Sequence, residues 1–148
     1  MGLNAPDRLT DEERRLWHAW KRASEVVRAR VADDISAATG LSDPDFGILT
    51  RLLDLGDGTL RQNELAASMG WHRSRLSHQL TRMEQRGLIA RAAAGEGVSV
   101  SITADGRAAA QAAIPVHARS VRRHLTDLTP PGLPGDLTGW LEKLALSQ

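Results

Sequence analysis

Apolar residues repeat at helical spacing on both sides of a glycine, in two short stretches near the middle of this 148-residue chain. The stretches contain Leu65, Ala66 and Met69 before Gly70, and Leu76, Leu80 and Met83 after it. Two helices joined by a tight turn that contains glycine form a helix-turn-helix. We therefore expect helices over residues 60–69 and 71–86, with the turn between them at Gly70.

A short hairpin is predicted directly after the second of these helices. Gly87 is suited to end the helix, and Leu88 and Ile89 begin a strand. Residues 98–102 alternate apolar and polar side chains, as a half-buried strand does, and residues 92–97 are expected to form the turn between the strands. A hairpin after a helix-turn-helix makes a winged helix, which we predict for residues 42–103.

Longer helices are predicted on both sides of this winged helix. Residues 10–38 form an amphipathic helix of roughly 43 Å at 1.5 Å per residue, which exceeds what a small domain needs, so part of it is expected to pack on a second subunit. Ser42, Pro44 and Asp45 have the pattern of a helix start, and that helix runs to about residue 55.

The remaining residues are predicted to be helical apart from one loop. Thr103 precedes an alanine-rich helix over 104–125, with Pro115 as a kink or break, and residues 129–135 form a loop before a last helix over 136–146. The predicted fold is mainly α with a small β-hairpin wing, in a single domain over 1–148. Residues 10–38 and 104–148 are its expected dimerisation helices.

Basic side chains are concentrated in one segment, although the net charge of the chain is only +1. Residues 61–91 contain 6 basic and 2 acidic side chains, whereas residues 1–60 have a net charge of −3 and residues 92–148 are neutral. A local basic stripe is typical of a site for a polyanion, because phosphate contacts supply most of the sequence-independent affinity. A solvated helix face is the other interpretation of the same charge pattern.

The side chains of the second helix are of the kinds that read duplex DNA. Arginine can bond guanine and glutamine can bond adenine through two hydrogen bonds each, so we predict base contacts for Arg73, Arg75 and Gln79. Contacts to the backbone or to adjacent bases are predicted for His72, Ser74, Ser77, His78 and Arg82. Arg61 and Gln62, at the start of the preceding helix, are predicted phosphate contacts.

Several other classes of protein are disfavoured by the sequence. The chain contains no cysteine, and it has no glycine-flanked nucleophilic serine, phosphate loop or zinc-protease motif, so we expect neither an enzyme nor a metal or cofactor. No apolar run approaches the ~18 residues that a bilayer span requires. Acidic residues occupy the amino-terminal region where a signal peptide would be apolar, and a cytoplasmic location is expected.

A small-molecule pocket is a further possibility raised by the aromatic residues. Trp17 and Trp20 are three apart on the first helix and Phe46 follows the second helix start near Asp45, so together they could line a pocket between the dimer region and the DNA-binding lobe. Tryptophans at helical spacing are more often core or interface anchors, which is the competing interpretation.

The chain resembles the MarR family of bacterial transcriptional regulators. The resemblance is carried by residues 62–89, QNELAASMGWHRSRLSHQLTRMEQRGLI, and by residues 102–107, ITADGR. It implies a homodimer held by the first and last helices, two winged helices that read a pseudo-palindromic site in double-stranded DNA, and often a small-molecule effector that relieves repression. The expected function is therefore that of a dimeric, ligand-responsive repressor.

The wing departs from the pattern of that family. Members commonly carry an Asp-Arg pair whose arginine enters the minor groove, whereas residues 91–99 here read RAAAGEGVS, with no arginine at the tip. Arg91 and Ser99 are left as the predicted polar contacts of the wing, and binding is expected to depend less on the wing. Two alternative functions stay open: a winged-helix protein–protein interaction module, and an architectural DNA binder without a ligand.

Overall fold

The computed structural model describes residues 7–147, in which six α-helices accompany three β-strands. The elements are α1 (Asp11–Thr39), α2 (Asp43–Gly56), β1 (Thr59–Arg61), α3 (Gln62–Met69), α4 (Arg73–Gln85), β2 (Ile89–Ala94), β3 (Gly97–Ile102), α5 (Ala104–His124) and α6 (Leu133–Leu146). Residues 1–6 and 148, which the predicted domain includes, lie outside the described residues.

The chain divides into two units. The central unit comprises residues 34–118, and the terminal unit comprises the residues up to 33 and from 119 onward. The boundaries fall within α1 and within α5, so the predicted winged helix over 42–103 belongs entirely to the central unit. Within residues 7–147, no helix is both long enough and apolar enough to cross a bilayer.

Helix α2 begins as the sequence predicts. Ser42 is its N-cap, and the Ser42 hydroxyl accepts from the backbone N–H of Asp45 while the Asp45 carboxylate accepts from the N–H of Ser42 at 2.9 Å. This reciprocal pair satisfies two N–H groups that a helix start otherwise leaves unpaired. Ile48, Leu49 and Leu52 are fully buried on the same face of α2 as Asp45, and they form part of the core of the central unit.

The helix-turn-helix is confirmed. Gly70 ends α3 in the left-handed region, with φ +65°, and the N–H of Trp71 donates back to Ala66 at 3.1 Å. This is a conformation that glycine adopts without steric cost. The apolar faces on either side are buried: Leu65, Leu76, Leu80 and Met83 are completely inaccessible to solvent.

The sheet has one strand more than the predicted hairpin. Its order is β1-β3-β2, and Thr59, Leu60 and Arg61 of β1 pair antiparallel with residues 99–101 of β3. The predicted helical start at residue 60 is therefore wrong, and α3 begins at Gln62. A strand of three residues is too short for a detectable period, and it exists because β3, some 40 residues later, supplies its hydrogen-bond partners.

The wing hairpin is tighter than predicted. Pairing continues to Ala94 opposite Gly97, so the turn is only Gly95 and Glu96, rather than residues 92–97. Gly95 has φ +61°, which a two-residue hairpin turn requires at this position and glycine readily provides. The short side chains of residues 92–94 did not indicate a strand, since alanine has little strand preference.

Helix α5 begins against the base of the wing. The Thr103 hydroxyl donates to the carbonyl of Gly87 at 2.6 Å and accepts from the N–H of Gly106 at 3.0 Å. A side chain at Gly106 would collide with the Leu88 carbonyl, so this approach depends on glycine. The helix continues through Pro115 without a break, and α6 begins at Leu133, three residues before its predicted start, with proline in its first turn.

Candidate nucleic-acid interface

Helix α4 presents a polar, basic surface. Leu76, Leu80 and Met83 fix its inner face in the core, so the remaining positions turn outward. None of its first-turn residues is acidic. Six of the predicted DNA-contacting residues on or next to α4 are exposed: His72, Arg73, Ser74, Arg75, His78 and Arg82.

Arg75 is held in a defined position by a neighbour that the sequence analysis missed. Its guanidinium carbon lies 3.8 Å from the ring centroid of Trp71, the residue between the two helices. A guanidinium held over an aromatic ring loses side-chain freedom, while its N–H groups remain available for hydrogen bonds to other partners. The i, i+4 spacing of an aromatic and an arginine was the signal available in the sequence.

A shallow groove brings together three predicted contacts from different elements. It has a volume of about 340 Å³ and is lined by Gln62 of α3, Ser77 of α4, Arg91, Ala92 and Ala93 of β2, and Val98 of β3. Ser99 lies nearby in β3, partly buried, where it pairs with both Arg61 and Ala92. The wing and the helix-turn-helix therefore contribute to one groove, which has both polar and apolar side chains in its lining.

Arg61 reaches the tip of the wing. It is the last residue of β1 and the N-cap of α3. Its guanidinium donates to the carbonyl of Ala94 at 3.3 Å, and its backbone N–H donates to Glu64 at 3.3 Å. The side chain remains exposed. A positive charge is thus present beside the Gly95–Glu96 turn, even though the wing itself has no arginine there.

Arg91 fastens the wing to α4. Its guanidinium donates to the Thr81 hydroxyl and to Glu84, both at 3.0 Å, and its backbone N–H donates to the second Glu84 oxygen at 2.9 Å. These hydrogen bonds from Arg91 lower the pKa of Glu84. The Arg91 side chain is only 21% exposed, so this predicted polar contact of the wing is already engaged by the protein.

Gln79 differs from the other predicted base contacts because it is buried. It is 5% exposed, donates to Asp45 at 2.7 Å and accepts from Arg82. Arg75, Gln79 and Arg82 are spaced by four and three residues as predicted, yet the middle residue lies against α2. Its amide is occupied by protein partners rather than presented to a base.

The four residues predicted to bind a ligand do not share one cavity. Trp17 and Trp20 line an apolar cavity of about 420 Å³ in the terminal unit, where Trp20 meets Trp140 edge-to-face at 6.4 Å between ring centroids. Phe46 lies 4.9 Å from His117, ring to ring, in a cavity of about 470 Å³ in the central unit. Asp45 is 1% exposed and bonded to protein groups.

The fold and this surface define a winged-helix protein whose helix α4 presents a basic outer face. Residues 40–103 match DUF7343, a domain family of unknown function. A comparison with curated proteins finds no significant match.

Solved structures similar to the chain cover almost all of it. AbsC of Streptomyces coelicolor, a MarR family transcriptional regulator, is 31% identical over 93% of this chain and 95% of its own, with a TM-score of 0.86. Sco3205 of the same organism, a MarR family regulator in complex with DNA, is 26% identical over 93% and 89%, with a TM-score of 0.87. BpsR of Bordetella bronchiseptica, whose DNA binding is regulated by 6-hydroxynicotinic acid, has the same fold at 19% identity, over 88% and 98%, with a TM-score of 0.77.

The chain belongs to the MarR family of transcriptional regulators. The resemblance seen in residues 62–89 and 102–107 is thereby confirmed, together with the mainly helical winged-helix fold.

Proposed function

We propose that this protein binds double-stranded DNA through α4 and represses transcription as a homodimer. The observation that carries the proposal is the outer face of α4, where arginine, serine and histidine side chains are exposed and Arg75 is stacked on Trp71. A helix with these donors suits the major groove, where arginine recognises guanine. The DNA complex of Sco3205 supports the same use of the fold.

The contacting residues have separate tasks in this proposal. Arg73 and Arg75 read bases, because they are exposed near the start of α4. Phosphate and adjacent-base contacts come from His72, Ser74, Ser77, His78, Arg82, Arg61 and Gln62, with Ser99 at the wing. Arg91, which is bonded to Thr81 and Glu84, holds the wing against α4. Gln79 contributes from the interior by its bond to Arg82 rather than at a base edge.

The dimer is proposed to form through the terminal unit. Large apolar side chains are exposed there on both α1 and α6, including Trp17 at 52%, Trp140 at 42% and Leu144 at 51%. Burial of such a surface against a second copy removes apolar area from water. Two copies of α4 held about 34 Å apart would then reach successive major grooves of one pseudo-palindromic site.

A small-molecule effector is proposed to act on this dimer. The cavity beside Phe46 and His117 also has Arg51 and Asp54 in its lining, which gives it both aromatic and charged surfaces. An effector relieves repression only if it binds the DNA-incompetent arrangement more tightly than the competent one. The protein is expected to work in the cytoplasm, where its DNA is.

The test is binding to the intergenic DNA beside the gene that encodes this protein. Fluorescence anisotropy at several salt concentrations should show binding that exceeds that of scrambled DNA by ~10³-fold or more. Arg75→Ala should abolish most of that preference, whereas Arg28→Ala, which removes an equal charge from the exposed surface of α1, should leave it intact.

The alternatives give different results in the same experiment. Equal affinity for both DNAs with a steep salt dependence would indicate an architectural binder. No salt-dependent binding to either duplex would point to a protein–protein interaction module, and the proposed function would then be wrong.

A further inference from the structure

A buried polar cluster connects α2 with α4. Asp45 of α2 is 1% exposed, and three donors meet its two carboxylate oxygens. Gln79 Nε2 donates to Oδ1 at 2.7 Å, while the guanidinium of Arg86 at 2.6 Å and the backbone N–H of Ser42 at 2.9 Å both donate to Oδ2. All four residues belong to the central unit.

The carboxylate determines which way the Gln79 amide faces. A carboxylate only accepts hydrogen bonds, so Gln79 must turn its NH₂ group toward Asp45. Its carbonyl oxygen then points to the opposite side, where it accepts from the Arg82 guanidinium. Because Gln79 is buried and packed within the protein, it has no solvent partner with which to reverse this arrangement.

Arg82 is anchored by this chain of bonds at the edge of the exposed surface. One of its terminal nitrogens is committed to Gln79, and the side chain as a whole remains exposed on α4. An arginine fixed in this way keeps its other N–H groups in a set direction and loses less conformational entropy when it meets a phosphate or a base.

We propose that Asp45 is a positioning residue for DNA recognition, which acts through Gln79 to hold Arg82 in its binding direction. The inference rests on the proposed function, since it assumes that α4 contacts DNA. It assigns to Asp45 and Gln79 a task that neither performs by touching DNA.

Asp45→Asn tests this relay, the chain of hydrogen bonds from Asp45 through Gln79 to Arg82, because it replaces only one oxygen of the carboxylate. Arg86 and the N–H of Ser42 both donate to Oδ2, so the single carbonyl oxygen of the variant is expected to stay with them. Its NH₂ group then faces Gln79, which must reverse its amide to accept. The NH₂ group of Gln79 would then face Arg82, two donors would oppose each other, and Arg82 would be released.

The matched control exchanges the acid and the amide. Asp45→Asn combined with Gln79→Glu leaves the net charge unchanged and restores an acceptor toward Arg82, since both oxygens of a carboxylate accept. Gln79→Met is a second variant, which removes the acceptor while Asp45 keeps Ser42 and Arg86 as partners.

The measurement is the factor by which Arg82→Ala weakens binding to the intergenic duplex in each background. We expect Arg82→Ala to weaken binding by about tenfold in the wild type and in the double variant Asp45→Asn with Gln79→Glu. In the Asp45→Asn or Gln79→Met background it should weaken binding by less than about threefold. Thermal unfolding of each variant sets a temperature at which all are folded. If Asp45 only stabilises the fold, its variant will melt earlier while the Arg82→Ala factor stays at tenfold, and the proposal is overturned.

A measurement on the protein without DNA distinguishes failure of this proposal from failure of the proposed function. In the free protein, the side-chain ¹⁵N–¹H resonances of Arg82 and Gln79 should report a slowly rotating guanidinium in the wild type and a freely rotating one with Asp45→Asn. Unchanged Arg82 resonances would overturn the relay even if DNA binding is specific. Altered resonances in a protein that fails to bind DNA would support the relay and contradict the proposed function.

Discussion

Exposure at single positions separates the side chains that can meet DNA from those that hold the interface in place. Arg75 and Gln79 lie four residues apart on α4, yet the first is exposed and the second is buried against Asp45. Trp71 and Glu84 touch Arg75 and Arg91 respectively, so both act on the interface through an arginine. The chemistry of a residue type alone does not assign these roles, because each depends on the neighbour that it meets.

Trp71→Ala is expected to weaken specific binding by about two- to fivefold, since an exposed cation–π contact is worth roughly 0.5–1 kcal/mol. The ring would no longer hold the Arg75 guanidinium that lies 3.8 Å away. Anisotropy titration on the intergenic duplex measures the loss, and Trp71→Phe, which keeps an aromatic face, should lose less. The effect should vanish in the Arg75→Ala background; a full loss there would contradict the stacking role.

Among the elements, helices were predictable and strands were less so. The spacing of Leu76, Leu80 and Met83 is a property of α4 alone, and the start of α2 is encoded by Ser42 and Asp45, which are neighbours in sequence. The strand β1 and the length of the wing depend instead on pairing with β3, which no local pattern reveals.

The candidate site divides in the same way. The exposed basic residues of α4 follow from helical periodicity, because the apolar face fixes the opposite one. The engagement of Arg91 by Glu84 and of Gln79 by Asp45 requires knowing which elements pack together. These long-range partners are set by the tertiary fold, and they decide which of the predicted residues are available to DNA.

The attachment of the wing to α4 should depend on pH. Arg91 lowers the pKa of Glu84 below the ordinary value of 4.5, so the ionised form is favoured in the folded protein. Its stabilising contribution is therefore present above 4.5 and is lost as the pH falls through the lowered pKa of Glu84. Because the carboxylate is exposed, the effect on global stability is expected to be small.

Glu84→Gln measures this attachment. At neutral pH the variant should unfold at lower urea concentration than the wild type and exchange the amide hydrogens of β2 faster. The difference should shrink well below pH 4.5, where Glu84 of the wild type is also neutral. Glu96→Gln removes an equal charge at the wing turn and serves as the control. A wild-type advantage that persists unchanged at low pH would exclude the Arg91 bond as its cause.

At the scale of the whole molecule, the exposed apolar surface of the terminal unit is the feature that the single chain leaves unexplained. Leu16, Trp17 and Trp20 of α1 and Trp140 and Leu144 of α6 are each at least 42% exposed. If a second copy covers this surface, affinity for a palindromic site depends on both copies of α4 binding together. Two linked contacts can exceed one by about 10²- to 10⁴-fold without any new interaction.

Trp17→Asp should therefore separate the subunits, because it places a charge in the apolar surface that the dimer would bury. Light scattering should show a mass near 16.1 kDa in place of twice that value, and affinity for the palindromic duplex should fall by at least about 100-fold, while affinity for a single half-site changes little. Leu55→Asp, at an exposed apolar position of α2 in the central unit, is the control and should keep the dimer mass. Circular dichroism establishes that the variant is folded at the temperature used. A wild-type protein with a mass of 16.1 kDa that still binds the palindrome tightly would contradict the dimer, and the apolar surface would then need another partner.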